Sequence, residues 1–209
     1  MIEVYYAAPS IYGRKVLAVL EEKGLDYVVK PMSFASGDHK KPEYEKMNPN
    51  GEIPTLVDDG MVIYESTAII EYLNDEYPEP PLLAEDSFGR AQARMIEDYC
   101  DLHFYKSIIK CLIKAKFEGK PLEDADKAPV AAGLKRLEEY LGKQSYMVGS
   151  SVTLADFAVI TGLVSLDNIG LGDLFTSPTL KKYLERMKKH AGYKGAAMFS
   201  IDNVPAAQV

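Results

Sequence analysis

The side chains able to do chemistry are few and fall in three short segments. In Ala8-Pro9-Ser10-Ile11-Tyr12-Gly13-Arg14 a hydroxyl stands at the start of a helical pattern. Ser10 is then either a helix N-cap or a donor beside a group bound at that end. A ligand there meets unpaired N–H groups and the positive end of a helix dipole, and both stabilise an anion such as a thiolate. In Asn48-Pro49-Asn50-Gly51-Glu52-Ile53-Pro54-Thr55 a proline opens a strand, a position that structure alone can explain. A cis Ile53–Pro54 bond would also turn the Ile53 backbone outward, for pairing with an extended peptide. Glu65-Ser66-Thr67-Ala68 lies where a strand gives way to a helix, so its N–H groups either serve simple capping or hold a carboxylate.

Other chemistries lack their residues. His39, His103 and His190 are scattered, and Cys100 and Cys111 have no partners at ligand spacing, so no metal site is expected. The two cysteines share one helical stretch that holds them roughly 16 Å apart at 1.5 Å per residue, too far to bridge. No Gly-x-Ser-x-Gly elbow, P-loop or Cys-x-x-Cys is present. With 24 Lys and Arg against 31 Asp and Glu, the formal charge is -7, the opposite of a nucleic-acid binder's footprint. No run of 18 apolar residues suggests a membrane span. Met1-Ile2-Glu3 is unlike the basic start of a leader, and two lone thiols suit a reducing compartment, so a cytoplasmic location is expected.

The elements that must position these segments follow from periodicity. The 209 residues, 47% hydrophobic and 26% charged, suit one large domain or two small ones. Strand signals at 4–6 and 27–29 flank a helical pattern over 11–23 that Gly24 stops. Strands at 55–57 and 61–64 are joined by Asp58-Asp59-Gly60 as a hairpin, and a helix runs from Ser66 to before Pro78. The stretch between the second and third strands reads as polar and irregular. The order is β-α-β, then β-β-α, over residues 1–78. A proline-rich linker at 79–85 precedes an all-helical domain at 86–209, with helical periodicity over 86–118, 126–141, 153–166 and 178–190. Thr153-Leu154-Ala155-Asp156, flanked by Val152 and Phe157, is a capping box with a hydrophobic staple; it marks a helix start and nothing catalytic. Residues 203–209 lack periodicity.

In this order, a βαβ unit, a loop ending in Ile53-Pro54, a hairpin, Glu65-Ser66 at a helix start and a helical second half resemble the soluble glutathione transferases across nearly the whole chain. The specific part is Asn48-Pro49-x-Gly51-x-Ile53-Pro54 followed by Glu65-Ser66. The helical half agrees in layout and in its Thr153-x-x-Asp156 box. The resemblance implies an α/β thioredoxin-like domain with a mixed sheet, glutathione as co-substrate, and homodimers paired through the first long helix of the second domain. Ser10, four residues before Arg14, matches the serine of the phi-like and theta-like classes, whose hydroxyl donates to the glutathione sulfur.

By the same resemblance, His39 and Lys40 lie near the glycine carboxylate of glutathione. Ile53, between Glu52 and Pro54, supplies the backbone partner of its cysteine. Glu65 and Ser66 anchor its γ-glutamyl end. Glu52 departs from the phi-like pattern, which usually has glutamine there. Tyr5 and Tyr6 stand earlier relative to Arg14 than the thiol-activating tyrosine of other classes, while the ring of Tyr12 could reach the same sulfur. The electrophile pocket, between the domains in this family, has Ile11, Tyr12, Phe34, Tyr99, His103, Phe104 and Ser107 as candidates; each suits an ordinary core or surface role equally well. The implied activity is conjugation of glutathione to small hydrophobic electrophiles, a detoxification chemistry. Two other readings stay open: a non-catalytic protein of this fold that binds hydrophobic ligands or a protein partner, and glutathione-dependent peroxide reduction.

Overall fold

The computed structural model describes residues 1–8 and 10–197, so Pro9 of the first segment and the aperiodic 203–209 lie outside the described residues. The chain divides into two compact units, one made of Met1–Pro80 with the segment from Ala191, the other of Pro81–His190.

In the first unit, β1 (Ile2–Tyr6), β2 (Tyr27–Pro31), β3 (Thr55–Asp58) and β4 (Met61–Tyr64) form a mixed sheet in the order β2-β1-β3-β4. β1 is parallel to β2 and antiparallel to β3, and β3 pairs antiparallel with β4. The hairpin forms where Asp58-Asp59-Gly60 predicts it, with positive φ at Asp59 (45°) and Gly60 (86°), as a two-residue turn of matching twist requires. The parallel pair needs a crossover, supplied by α1 (Ile11–Glu22), which packs against α3 (Ser66–Glu76). Val16, Leu17 and Leu20 of α1 and Ile69, Ile70 and Leu73 of α3 are fully buried, the helical stripes the periodicity implies.

Two features of this unit escape a periodicity reading. The polar stretch after β2 contains a 3₁₀ turn at Asp38–Lys40 and a one-turn helix, α2 (Pro42–Glu45), too short to show a period. α9 (Gly192–Ala197) belongs with α1 and not with the helices that precede it in sequence. A Cβ on Gly195 would stand 2.5 Å from the Leu17 carbonyl, so only glycine lets these backbones meet, and the Glu22 carboxylate accepts from Gly192 N–H at 2.9 Å. Periodicity announces a helix, not the unit on which it packs.

The second unit is all helical. α4 (Ser87–Tyr99), capped by Asp86, continues through a π-helical turn at Cys100–Phe104 into α5 (Tyr105–Leu112) and a second π turn at Ile113–Phe117. The stretch expected as one helix is therefore continuous but widened twice, each π turn shifting the residues that follow around the axis. α6 (Asp124–Leu141), α7 (Leu154–Asn168) and α8 (Pro178–Met187) complete it, with α7 buried nearly all round. Asp156 closes the expected box, accepting from Thr153 N–H at 2.8 Å and Thr153 Oγ1 at 2.9 Å. It also accepts from Met147 N–H at 2.8 Å and the Tyr183 hydroxyl at 2.9 Å, tying a loop and α8 to the start of α7. Cys100 and Cys111 are buried and unbridged. Among the described residues no helix is long and apolar enough to cross a membrane.

Candidate functional site

The first segment begins where β1 ends. Ser10, extended at φ -68° and ψ 108°, is the N-cap of α1, and its Oγ accepts from Gly13 N–H at 3.0 Å. The capping reading is thus realised, and the cap does not use the hydroxyl proton. That proton points toward the Ile53 carbonyl, 3.5 Å away. The N-terminus of α1 sits directly on β1, since a Cβ on Gly13 would come within 2.4 Å of the Tyr6 ring. Tyr6 is buried, its hydroxyl donates to Ala8 O at 2.9 Å, and burial pushes its pKa well up, so it is committed as a neutral phenol. The Tyr5 ring packs on Tyr44, centroids 5.9 Å apart. The Tyr6 hydroxyl is therefore already committed to its own loop.

The second segment ends in a cis Ile53–Pro54 bond. β3 starts only at Thr55, so the Ile53 peptide lies outside the sheet ladder. The third segment opens α3 on Glu65, a non-glycine residue at φ 70°, with Ser66 buried as the first helical residue. Positive φ at such a residue persists only where the surroundings impose it. Here the Glu65 carboxylate accepts from Asn50 Nδ2 at 2.8 Å, and Asn50 O accepts from Lys40 Nζ at 3.3 Å. Gly51, at φ +56°, is required beside them, since a Cβ would lie 2.8 Å from Lys40 Nζ and 2.9 Å from His39 O. Lys40, Asn50 and Glu65 therefore tie the turn at Asp38–Lys40 to the second and third segments, and Ser10 ties the first segment to the second through Ile53.

His39 packs edge-on against Phe34, with ring centroids 5.2 Å apart, and its Nδ1 is buried with no hydrogen-bond partner. Burial first, and Lys40 second, lower its pKa, leaving the imidazole neutral at pH 7. Glu52 is exposed, but its carbonyl is held by Tyr44 Oη at 2.6 Å and Asn48 Nδ2 at 2.8 Å. Asn50, Tyr44 and this use of Asn48 are what the sequence reading missed. Asn48 and Asn50 lie inside the motif it quoted, whereas Tyr44 carries no local signal.

The remaining candidates separate. Ile11 is buried at the start of α1, Tyr12 is half-buried beside it, and Phe34 is exposed. In the helical unit, Tyr99 stacks on His103 at 5.4 Å and meets Tyr140 edge-on at 5.5 Å. The Ser107 hydroxyl donates to Phe104 O at 2.7 Å. Phe104 fills the helical core, its ring against Gly133 and Gly162, where an added Cβ would come within 2.5 and 2.6 Å. It packs there as a core residue, the ordinary role the sequence also allowed.

The arrangement offers a hydroxyl donor at the positive end of α1, an Ile53 peptide outside the sheet ladder, and further along a lysine, an orphaned imidazole nitrogen, a carboxylate and a second helix N-terminus. It suits an extended zwitterionic ligand bearing a group that gains from becoming anionic. Comparison with known proteins agrees with the layout. A family model described as glutathione S-transferase, N-terminal domain, matches residues 4–81, and one described as glutathione S-transferase, C-terminal domain, matches residues 101–190. The chain is 30% identical over 210 residues to a maleylacetoacetate isomerase of Pseudomonas aeruginosa, covering 97% of this chain and 98% of that one. It is 30% identical over 212 residues to glutathione S-transferase Z2 of Arabidopsis thaliana, covering 98% and 94%. Among solved structures, a delta-class glutathione transferase of Nilaparvata lugens superposes with a TM-score of 0.85 at 29% identity, over 96% of this chain and 97% of that one.

Proposed function

We propose that this chain, which belongs to the glutathione S-transferase family, is a glutathione-dependent enzyme that turns the glutathione thiol into a thiolate and joins it to small hydrophobic electrophiles. The observation that carries the reading is Ser10, whose oxygen accepts from Gly13 while its hydroxyl donates only a long bond, 3.5 Å, to the Ile53 carbonyl outside the sheet ladder. Glutathione supplies a thiol whose deprotonated form is the nucleophile. Free thiols ionise near pH ~8.5, so at neutral pH only a few per cent is thiolate. A hydroxyl donating to sulfur favours the anion, and the α1 dipole favours it further. Ser10 is thus a hydrogen-bond donor, neither nucleophile nor base.

Each remaining residue fits one part of the tripeptide. The Ile53 peptide, between Glu52 and Pro54, pairs with the cysteine backbone. Lys40 and the orphaned His39 Nδ1 suit the glycine carboxylate. Glu65 suits the γ-glutamyl ammonium, while Ser66 and the first N–H groups of α3 suit its carboxylate. Within the first unit, Tyr12 and Phe34 are proposed for the second substrate. We place the enzyme in the cytoplasm as a homodimer. Phe88, Met95 and Leu102, exposed at heptad spacing along α4 and the π turn, form a stripe suited to a second copy.

A second reading draws on the isomerase relative, which covers nearly the whole chain: glutathione-dependent isomerisation of an unsaturated dicarbonyl acid such as maleylacetoacetate. Glutathione consumption separates the two, because conjugation uses one thiol per turnover and isomerisation uses none. Purified protein is assayed with glutathione and 1-chloro-2,4-dinitrobenzene, with maleylacetoacetate, and with cumene hydroperoxide. Dinitrophenyl conjugate is the expected product. Isomer without thiol loss supports the second reading and oxidised glutathione the peroxidase. Glutathione binding with no product in any arm makes the chain a binding protein.

A further inference from the structure

The buried polar group beneath the Ile53 loop is the feature the proposed chemistry does not use. Tyr44, Asn48 and Thr55 are 3%, 1% and 0% exposed. Asn48 Nδ2 reaches Glu52 O at 2.8 Å and Thr55 Oγ1 at 3.2 Å. The Tyr44 hydroxyl lies 2.7 Å from Thr55 Oγ1 and donates to Glu52 O at 2.6 Å. The donors settle the directions. The one phenolic proton goes to the Glu52 carbonyl, so Thr55 donates to Tyr44 and accepts from Asn48, a closed ring with every donor satisfied. Burial raises the Tyr44 pKa and keeps that proton in place. Asn48 Oδ1 accepts from Asn50 N–H at 3.1 Å.

We propose that Tyr44, Asn48 and Thr55 are positioning residues that set the Ile53 peptide and Asn50 for the bound tripeptide, a role that rests on the reading of Ile53 as its backbone partner. What the ring grips is no helix or strand. It is the one carbonyl before Ile53 and the one amide that aims Asn50 at Glu65. A satisfied buried network specifies one geometry where an apolar core would tolerate several. It also explains α2, whose single turn brings the Tyr44 ring into the small cluster of Ala7, Met32 and Ile53 and its hydroxyl beneath the loop.

The test uses the full chain as parent, Tyr44→Phe, Thr55→Val and Asn48→Asp, the last isosteric but unable to donate to Glu52 O. Calorimetry measures binding of glutathione and of S-methylglutathione, ultraviolet absorbance follows the bound thiolate against pH, and circular dichroism records melting. Each variant removes two hydrogen bonds of the ring and is expected to weaken both ligands alike, by about five- to tenfold. The thiolate midpoint, set by Ser10, and kcat at saturating glutathione stay at the parent's values. A merely structural ring would lower the melting temperature and leave both affinities at the parent's value, and that result overturns the proposal. So does a shift of the thiolate midpoint with unchanged affinity. Should Asn48→Asp fail to fold, Tyr44→Phe, which keeps the ring carbons, decides alone. A parent that binds neither ligand removes the glutathione reading itself, whereas a binding parent with indifferent variants removes only the positioning role.

Discussion

Among the described residues, two helices carry a buried hydroxyl residue as their N-cap, Ser10 at α1 and Thr153 at α7, and they use it differently. At α7, Thr153 gives its proton to Asp156, and that carboxylate also holds Met147 and Tyr183, so the helix start is a closed knot within the helical unit. At α1, Ser10 accepts from Gly13 but keeps its proton aimed at a carbonyl 3.5 Å away, a marginal bond. The same local rule closes on strong internal partners at α7 and leaves a weakly held donor at α1, which is what the role proposed for Ser10 requires.

The largest effect that tests the contrast is expected at the closed end. Asp156→Ala leaves the Thr153, Met147 and Tyr183 donors without their shared acceptor in a fully buried place, at a cost of about 3–5 kcal/mol, since each buried donor left unsatisfied costs roughly 1–3 kcal/mol. Chemical denaturation reads it directly. Ser10→Ala loses only a helix cap, about 1 kcal/mol, yet is expected to lower conjugation about a hundredfold, the scale for removing one donor from a developing anion. Glutathione affinity should hold while the bound-thiolate titration moves upward. Equal stability losses at the two positions, or an active Ser10→Ala, would make the two caps equivalent.

How each cap could be read in advance differs in the same way. Thr-x-x-Asp before an apolar run announces α7 because both partners lie within four residues, and the Asp-Gly hairpin and the stop at Gly24 are legible for that same local reason. Ser10 was legible as a cap, while its second partner, Ile53, is distant in sequence and entered through family resemblance. Tyr44 was invisible, because a four-residue helix has no period and the hydroxyl's partners, Glu52 O and Thr55 Oγ1, depend on how the loop before β3 folds over α2. Asp156's further partners, and the packing of α9 on α1, are tertiary facts of the same kind.

A mid-sized effect tests whether α1 is held from outside its own sequence neighbourhood. Gly195→Val places side-chain atoms where the Leu17 carbonyl already stands, so α9 must move away. Overpacking of this kind costs about 1–3 kcal/mol. A melting curve indistinguishable from the parent's would show that α9 contributes nothing to the first unit.

The smallest effect concerns the far end of the open site. Burial, with Lys40 assisting, lowers the pKa of free His39, so below its ordinary value of about 6.5 the ring resists protonation. A ligand carboxylate beside Nδ1 raises that pKa again, so the complex takes up a proton that the free protein does not hold. Affinity must then increase as pH falls through the bound-state pKa and level off below the free-state pKa. S-Methylglutathione isolates the effect, having no thiol to titrate between pH 6 and 8. Calorimetry over that range is expected to show binding tightening by about twofold to fourfold toward pH 6, with proton uptake visible in buffers of different ionisation enthalpy. His39→Gln should bind more weakly and without the slope. A pH-independent parent would mean that the orphaned nitrogen faces no carboxylate, leaving Lys40 alone to hold that end of the ligand.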